Sequence, residues 1–162
     1  MPVTTLARGR ARAAVPAEAR RRVAARVRLA LRALGRARCT ATLVFTDDDE
    51  IRALNRDFRK HDRATDVLSF QLQELAGEAD PAGVGVELGD IVISVETARR
   101  RARGKRLVGE LERLAVHGLC HLFGHDHKKK AEAQVMFALE KRLRRLPRPS
   151  ALKIASRAWR GT

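Results

Sequence analysis

Tyrosine is absent from this 162-residue chain, tryptophan occurs once, cysteine twice, and phenylalanine supplies five aromatic side chains. So sparse an aromatic complement does not indicate a base-stacking platform, and the lone Trp159 in a basic tail reads as a docking contact. Cys39 and Cys120 form neither a CxxC pair nor a disulfide framework, which points to a reducing compartment and to two small buried apolar residues. No apolar run approaches the ~20 residues that cross a bilayer, and the first fifteen residues lack the apolar centre of a secretory signal. The expectation is a cytoplasmic protein with no membrane association. A phosphate-binding loop is missing as well. Gly77, Pro81, Gly83 and Gly85 lie in a polar stretch without the Lys-Ser/Thr pair or the strand-to-helix frame that such a loop requires.

What is abundant is positive charge. Lys and Arg number 34 against 19 Asp and Glu, for a formal net charge of +15. Residues 1–38 carry eleven Arg and one Glu, residues 128–162 eleven Lys or Arg and two Glu, whereas residues 39–98 hold thirteen acids and five bases. Basic ends of this kind suit a polyanionic partner, since each phosphate neutralised releases condensed counterions. Charge alone does not decide the matter, because an Arg- and Ala-rich composition also arises from genome bias.

The pattern of apolar residues suggests three strands and five helices. Val23, Val27, Ala30, Leu31 and Leu34 recur at helical spacing after Pro16, with Gly35 as a stop. Cys39 to Phe45 reads as a strand, residues 48–58 as a helix, Val67 to Phe70 as a second strand and Val86 to Ser94 as a third. The acids Asp47 to Glu50 suit the capping of the helix that follows better than a cation site. Residues 74–85 read as a loop, Glu96 to Arg103 as a helix, Leu107 to Phe123 as a helix closed by Gly124, and Ala131 to Leu146 as a last helix stopped by Pro147. The length suits one domain of roughly 100–200 residues. Residues 1–15 form a flexible basic arm in this reading, 16–147 the folded domain and 148–162 a basic tail.

Four of the five histidines fall between positions 117 and 127. His117 and His121 are one helical turn apart and project from one face, so both imidazoles can reach one metal ion. Gly124 lets the chain reverse and return His127 as a third ligand, leaving a fourth tetrahedral position open, the usual arrangement of a catalytic zinc. His125 is the weakest candidate of the four, and Cys120 faces away from the pair. The spacing HxxxHxxGxxH also matches metzincin proteases, which place Glu after the first His as general base. Here that position is Gly118, so the metal cage is present without the proton shuttle that a poor amine leaving group needs.

The segment His117 to His127 resembles the signature of the YbeY endoribonuclease family, bacterial proteins acting on ribosomal RNA. Leu54 to Arg59, Thr65 to Phe70, Leu88 to Ile91 and Met136 to Glu140 agree in the correct order, so the resemblance covers roughly residues 40–145. Cys120 and His125 replace the commoner Leu and Tyr, Ala64 and Gln71 stand where proline is usual, and Lys128 to Lys130 occupy an often acidic stretch. The resemblance implies a small α+β zincin-like domain, with a mixed sheet of about four strands and about five helices. The fourth strand would fall within residues 72–86.

A zinc-dependent, single-strand-specific endoribonuclease is therefore expected, with one zinc per chain on His117, His121 and His127, acting in small-subunit ribosomal RNA 3′-end maturation and ribosome quality control. Zinc would acidify a water toward pKa ~7, and Arg59 would bind the scissile or adjacent phosphate through its planar guanidinium. The family's matching arginine supports that choice. Asp126 reads either as a turn former or as an acceptor orienting an imidazole, and Asp90 either as a supporting acid or as a strand-edge marker. Partners would be single-stranded ribosomal RNA and the small ribosomal subunit or its proteins. Two rivals are a non-catalytic ribosome-assembly factor with structural zinc, against which the open coordination position weighs, and a metallopeptidase, against which Gly118 weighs.

Overall fold

A computed structural model describes residues 3–72 and 85–149. In chain order the elements are β1 (Val3–Ala7), α1 (Ala11–Ala14), α2 (Ala17–Ala33), β2 (Thr40–Thr46), α3 (Asp48–Arg59), β3 (Val67–Gln71), β4 (Glu87–Ser94), α4 (Val95–Ala102), α5 (Leu107–Leu122) and α6 (Lys130–Arg144). The four strands form one mixed sheet in the order β1-β2-β4-β3. β1, β2 and β4 run parallel, and β3 lies antiparallel to β4 at the outer edge.

Strand alternation sorts the core onto two faces. Leu43, Phe45, Ile91 and Ile93 point to one face and bury against α2, α5 and α6, through residues including Val27, Leu31, Leu111, Leu119, Met136 and Leu143. Val44, Val92 and Leu68 point the other way, where α3 covers them with Ile51 and the half-buried Leu54. Helix ends follow local chemistry. The Asp47 carboxylate accepts from the Glu50 amide at 3.0 Å and starts α3. Ser94 likewise accepts from the Thr97 amide and starts α4. The Asp48 carboxylate accepts from the Ser94 and Thr97 hydroxyls, both at 2.6 Å, and pairs with Arg100. The acidic cluster is thus consumed in capping and pairing.

The N-terminal segment differs from a flexible arm. β1 pairs with β2 from Val3 opposite Ala41 to Ala7 opposite Phe45, and Val3 is buried. Beyond it the Arg10 amide donates to Asp47, and the Arg10 guanidinium pairs with Asp49 and Glu96. Gly9 adopts a φ of +53°, and a Cβ there would lie 2.1 Å from the Asp47 carboxylate, so the approach needs glycine. Five residues of an edge strand show too little periodicity to be read alone, and their partner is more than thirty residues away. β1 completes the four-stranded sheet. The stretch 73–84, with its glycine- and proline-rich loop, lies outside the described residues, as do residues 150–162 with Trp159. At the other end Arg148 pairs with Glu112 of α5, so the described chain stays docked to that point.

Candidate metal centre and its cleft

α5 carries His117 and His121 on either side of a close approach to the sheet. A Cβ built on Gly118 would meet Ile91 Cγ2 at 2.6 Å and the Ser69 hydroxyl oxygen at 3.0 Å. Ser69 in turn donates to the Gly118 carbonyl at 3.0 Å, and the Gln71 amide donates to the carbonyls of His121 and Leu122 at 3.0 and 3.1 Å. These bonds clamp β3 to the C-terminal turns of α5. Position 118 therefore has no room for the glutamate of a metallopeptidase: close packing of helix on sheet demands the glycine.

His117 and His121 converge as the i, i+4 spacing predicts. Their Nε2 atoms lie 3.1 Å apart, with ring centroids 4.7 Å apart. α5 ends at Phe123, and Gly124 takes a φ of +85° to reverse the chain, its amide donating to His121 O at 2.9 Å. The turn brings back His127, whose ring centroid is 5.3 Å from that of His121 and 5.9 Å from that of His117. One nitrogen from each ring falls within 4.8 Å of the others. Two ligands at about 2.0–2.1 Å from a tetrahedral metal are separated by roughly 3.3 Å, so the His117–His121 pair already has ligand spacing. His127, exposed on the loop after the turn, offers a nitrogen within 4.8 Å of both. Three imidazoles with one side open to solvent fit a catalytic zinc in donor type and number.

His117 has a partner that its neighbours in the chain do not reveal. Its Nδ1 lies 2.5 Å from Oε1 of Glu140, a buried acid on α6. An ionised carboxylate only accepts, so Nδ1–H donates and Nε2 keeps its lone pair toward the other histidines. The available signal is the place of Glu140 on its helix: it shares the buried stripe of α6 with Met136 and Leu143, where an acid is out of place without a task.

Burial lowers the pKa of His121, and His117 and His127 push it the same way, so the imidazole is held neutral, as a ligand must be. Cys120 lies in the core cluster outside the trio, where burial raises its thiol to about 12. The Asp126 carboxylate accepts from the His127 amide at 2.7 Å, a bond that keeps its pKa low, and it stands 3.7 Å from His127 Nδ1. His125 lines the surrounding cleft without joining the trio. Asp90 faces Thr42 and Phe70 across β4 and is not among the residues lining the cleft.

The histidines open onto a cleft of about 670 Å³ along the β3 edge, lined also by Arg59, Asp66, Ser69, Phe70 and Lys128. Arg59, the last residue of α3, reaches over that edge and donates through one Nη2–H to Ser69 O at 2.8 Å. Asp66 is held by Arg101 and by the Val67 amide. The cleft thus has a triad of imidazoles on the α5 side and a fixed guanidinium on the α3 side.

The family model described as Endoribonuclease YbeY matches residues 10–146. Among similar proteins, the Endoribonuclease YbeY of Anaeromyxobacter dehalogenans (strain 2CP-C) is 46% identical over 131 residues, 80% of this chain and 65% of its own. That of Aquifex aeolicus (strain VF5) is 48% identical over 111 residues, 67% of this chain and 70% of its own. The chain therefore spans slightly less than two thirds of the Anaeromyxobacter relative. The solution structure of TM1509 from Thermotoga maritima superposes with a TM-score of 0.60 over 88% of this chain and 86% of that one, at 23% identity, which shows the common fold.

Proposed function

Because this chain belongs to the endoribonuclease YbeY family, we propose that it hydrolyses phosphodiester bonds in single-stranded RNA, using one zinc ion held by His117, His121 and His127. The observation that carries this reading is the facing of three convergent imidazoles and the Arg59 guanidinium across one cleft. When bound, zinc would supply Lewis acidity and lower the pKa of a water toward about 7.

The chain's own residues divide the remaining work. Glu140 holds the His117 ring in the tautomer that leaves Nε2 free. Asp126 shapes the turn that presents His127. Arg59 spends one N–H on the Ser69 carbonyl, which fixes the side chain, and keeps other donors for two phosphate oxygens, where they offset the charge that develops in phosphoryl transfer. Peptide hydrolysis is disfavoured by the steric exclusion of a base at position 118. A purely structural zinc is disfavoured by the solvent-open side of the trio.

The substrate we infer is ribosomal RNA, processed toward the 3′ end of the small-subunit molecule, with that subunit or its proteins as partners in the cytoplasm. No helix among the described residues is long and apolar enough to cross a membrane. The test is cleavage of a labelled small-subunit precursor fragment by wild type and by a folded His121→Ala variant purified identically. Cutting lost only in the variant is the expected result. Equal cutting by both preparations would mark a contaminant, and zinc and RNA binding without cutting would favour the assembly-factor reading.

A further inference from the structure

Phe58 occupies the last turn of α3, immediately before Arg59, and leaves 65% of its surface exposed. Single exposed apolar side chains are ordinary. Phe58 differs in its surroundings: its ring meets that of Phe70 edge to face, with centroids 5.3 Å apart and planes at 73°. Phe70 belongs to the edge strand β3 and lines the same cleft as Arg59 and the histidines. It is half-buried against the Val44, Ile51, Leu68 and Val92 cluster, which makes it a firm backing for its neighbour. A chain with five Phe and no Tyr thus pairs two of its few aromatic rings, Phe70 lining the cleft and Phe58, next to Arg59 in the chain, bared to solvent. Lys60 and Arg63, both exposed, follow within five residues.

We propose that Phe58, braced by Phe70, is a nucleobase-stacking subsite that seats a base of the RNA strand beside the phosphate held by Arg59. The proposal rests on the RNA-cleaving reading and adds a contact that phosphate chemistry does not supply. Every base offers a π face, so such a contact is tolerant of sequence while requiring an unpaired base. It therefore gives the site a reason to prefer single strands over duplexes, whose bases are already stacked. The exposed Arg59 and Lys60, which follow Phe58 in the chain, can meet the phosphates on either side of a stacked base.

The test is equilibrium binding of a short fluorescein-labelled single-stranded RNA to chelator-treated protein, which binds without cutting, followed by anisotropy. Phe58→Ala should weaken binding roughly 5- to 150-fold, the range of one base–aromatic stack. Phe58→Trp should restore it to within about twofold, and Phe58→Leu, which keeps apolar bulk without a π face, should not. Moving a single abasic nucleotide along the RNA should find one position at which wild type and Phe58→Ala bind alike. The salt dependence should be the same for wild type and Phe58→Ala, because no phosphate contact is removed. Equal affinity of Phe58→Ala and wild type, or rescue by Leu as good as by Trp, overturns the stacking subsite and leaves RNA cleavage standing; the exposed ring is then a protein contact. Failure of wild type to bind RNA at all overturns both readings together.

Discussion

Glu140 Oε1 lies 2.5 Å from His117 Nδ1, so one helix sets the proton on an imidazole carried by another. A metal-ligating histidine needs its far nitrogen protonated and its ring held, and a buried carboxylate does both. Loss of such a partner commonly weakens metal binding 10–100-fold. Glu140→Gln, which retains an acceptor but loses the charge, is expected to lower zinc affinity roughly tenfold, and Glu140→Ala more. Competition with a chromophoric chelator measures this. Unchanged affinity in both variants would show that the pair serves only packing.

Gly118→Ala tests the close approach of α5 to the sheet. Overpacking against Ile91 should cost about 1–3 kcal/mol, and the better helix propensity of alanine returns up to about 1 kcal/mol. A net loss near 1–2 kcal/mol is expected in urea unfolding. Gly118→Glu should be worse and should gain no peptidase activity. A stable Gly118→Glu protein that cleaved peptides would overthrow the steric account.

Arg59→Ala should slow RNA cleavage roughly a hundredfold, the scale of removing a donor aimed at developing charge, while zinc content stays intact. Arg59→Lys should recover little, because a point charge lacks the planar fork. Lost zinc, or unaltered rates, would remove Arg59 from the reaction.

Proton binding predicts a pH dependence for the metal-free fold. Folding holds the His121 pKa below its ordinary 6.5, so as pH falls through 6.5 the unfolded chain takes up the proton first. Stability from this group is flat above 6.5, declines below it, and levels off once the folded group is protonated too. Thermal melting in chelator between about pH 8 and pH 5 should show that decline, and His121→Gln should reduce it. Identical pH profiles in the two proteins would assign the decline to other groups.

Deleting residues 1–7 removes β1 and uncovers the edge of β2. Burial of Val3 alone is worth roughly 1.5–3 kcal/mol, so a clear drop in melting temperature is expected, with greater aggregation at the bared edge. A melting temperature equal to that of the full chain would restore the picture of a free arm.

Local spacing was legible in the sequence because its physics is local. One helical turn sets His117 against His121, a glycine permits the reversal toward His127, and apolar periodicity marks five helices and three strands to within about two residues of their ends. What tertiary structure alone decided rests on pairs distant in the chain. β1 finds β2 across the whole of α1 and α2, Glu140 meets His117 from the next helix, and Phe58 meets Phe70 only because α3 lies on the outer face of an edge strand. The glycine at 118 belongs to both levels: its identity excludes a base at first sight, but the reason, a helix so close to the sheet that a Cβ there would lie 2.6 Å from Ile91, exists only once the sheet has formed. Residue type and short-range periodicity are written along the chain, whereas the closing of long loops to bring partners together depends on the sum of all packing.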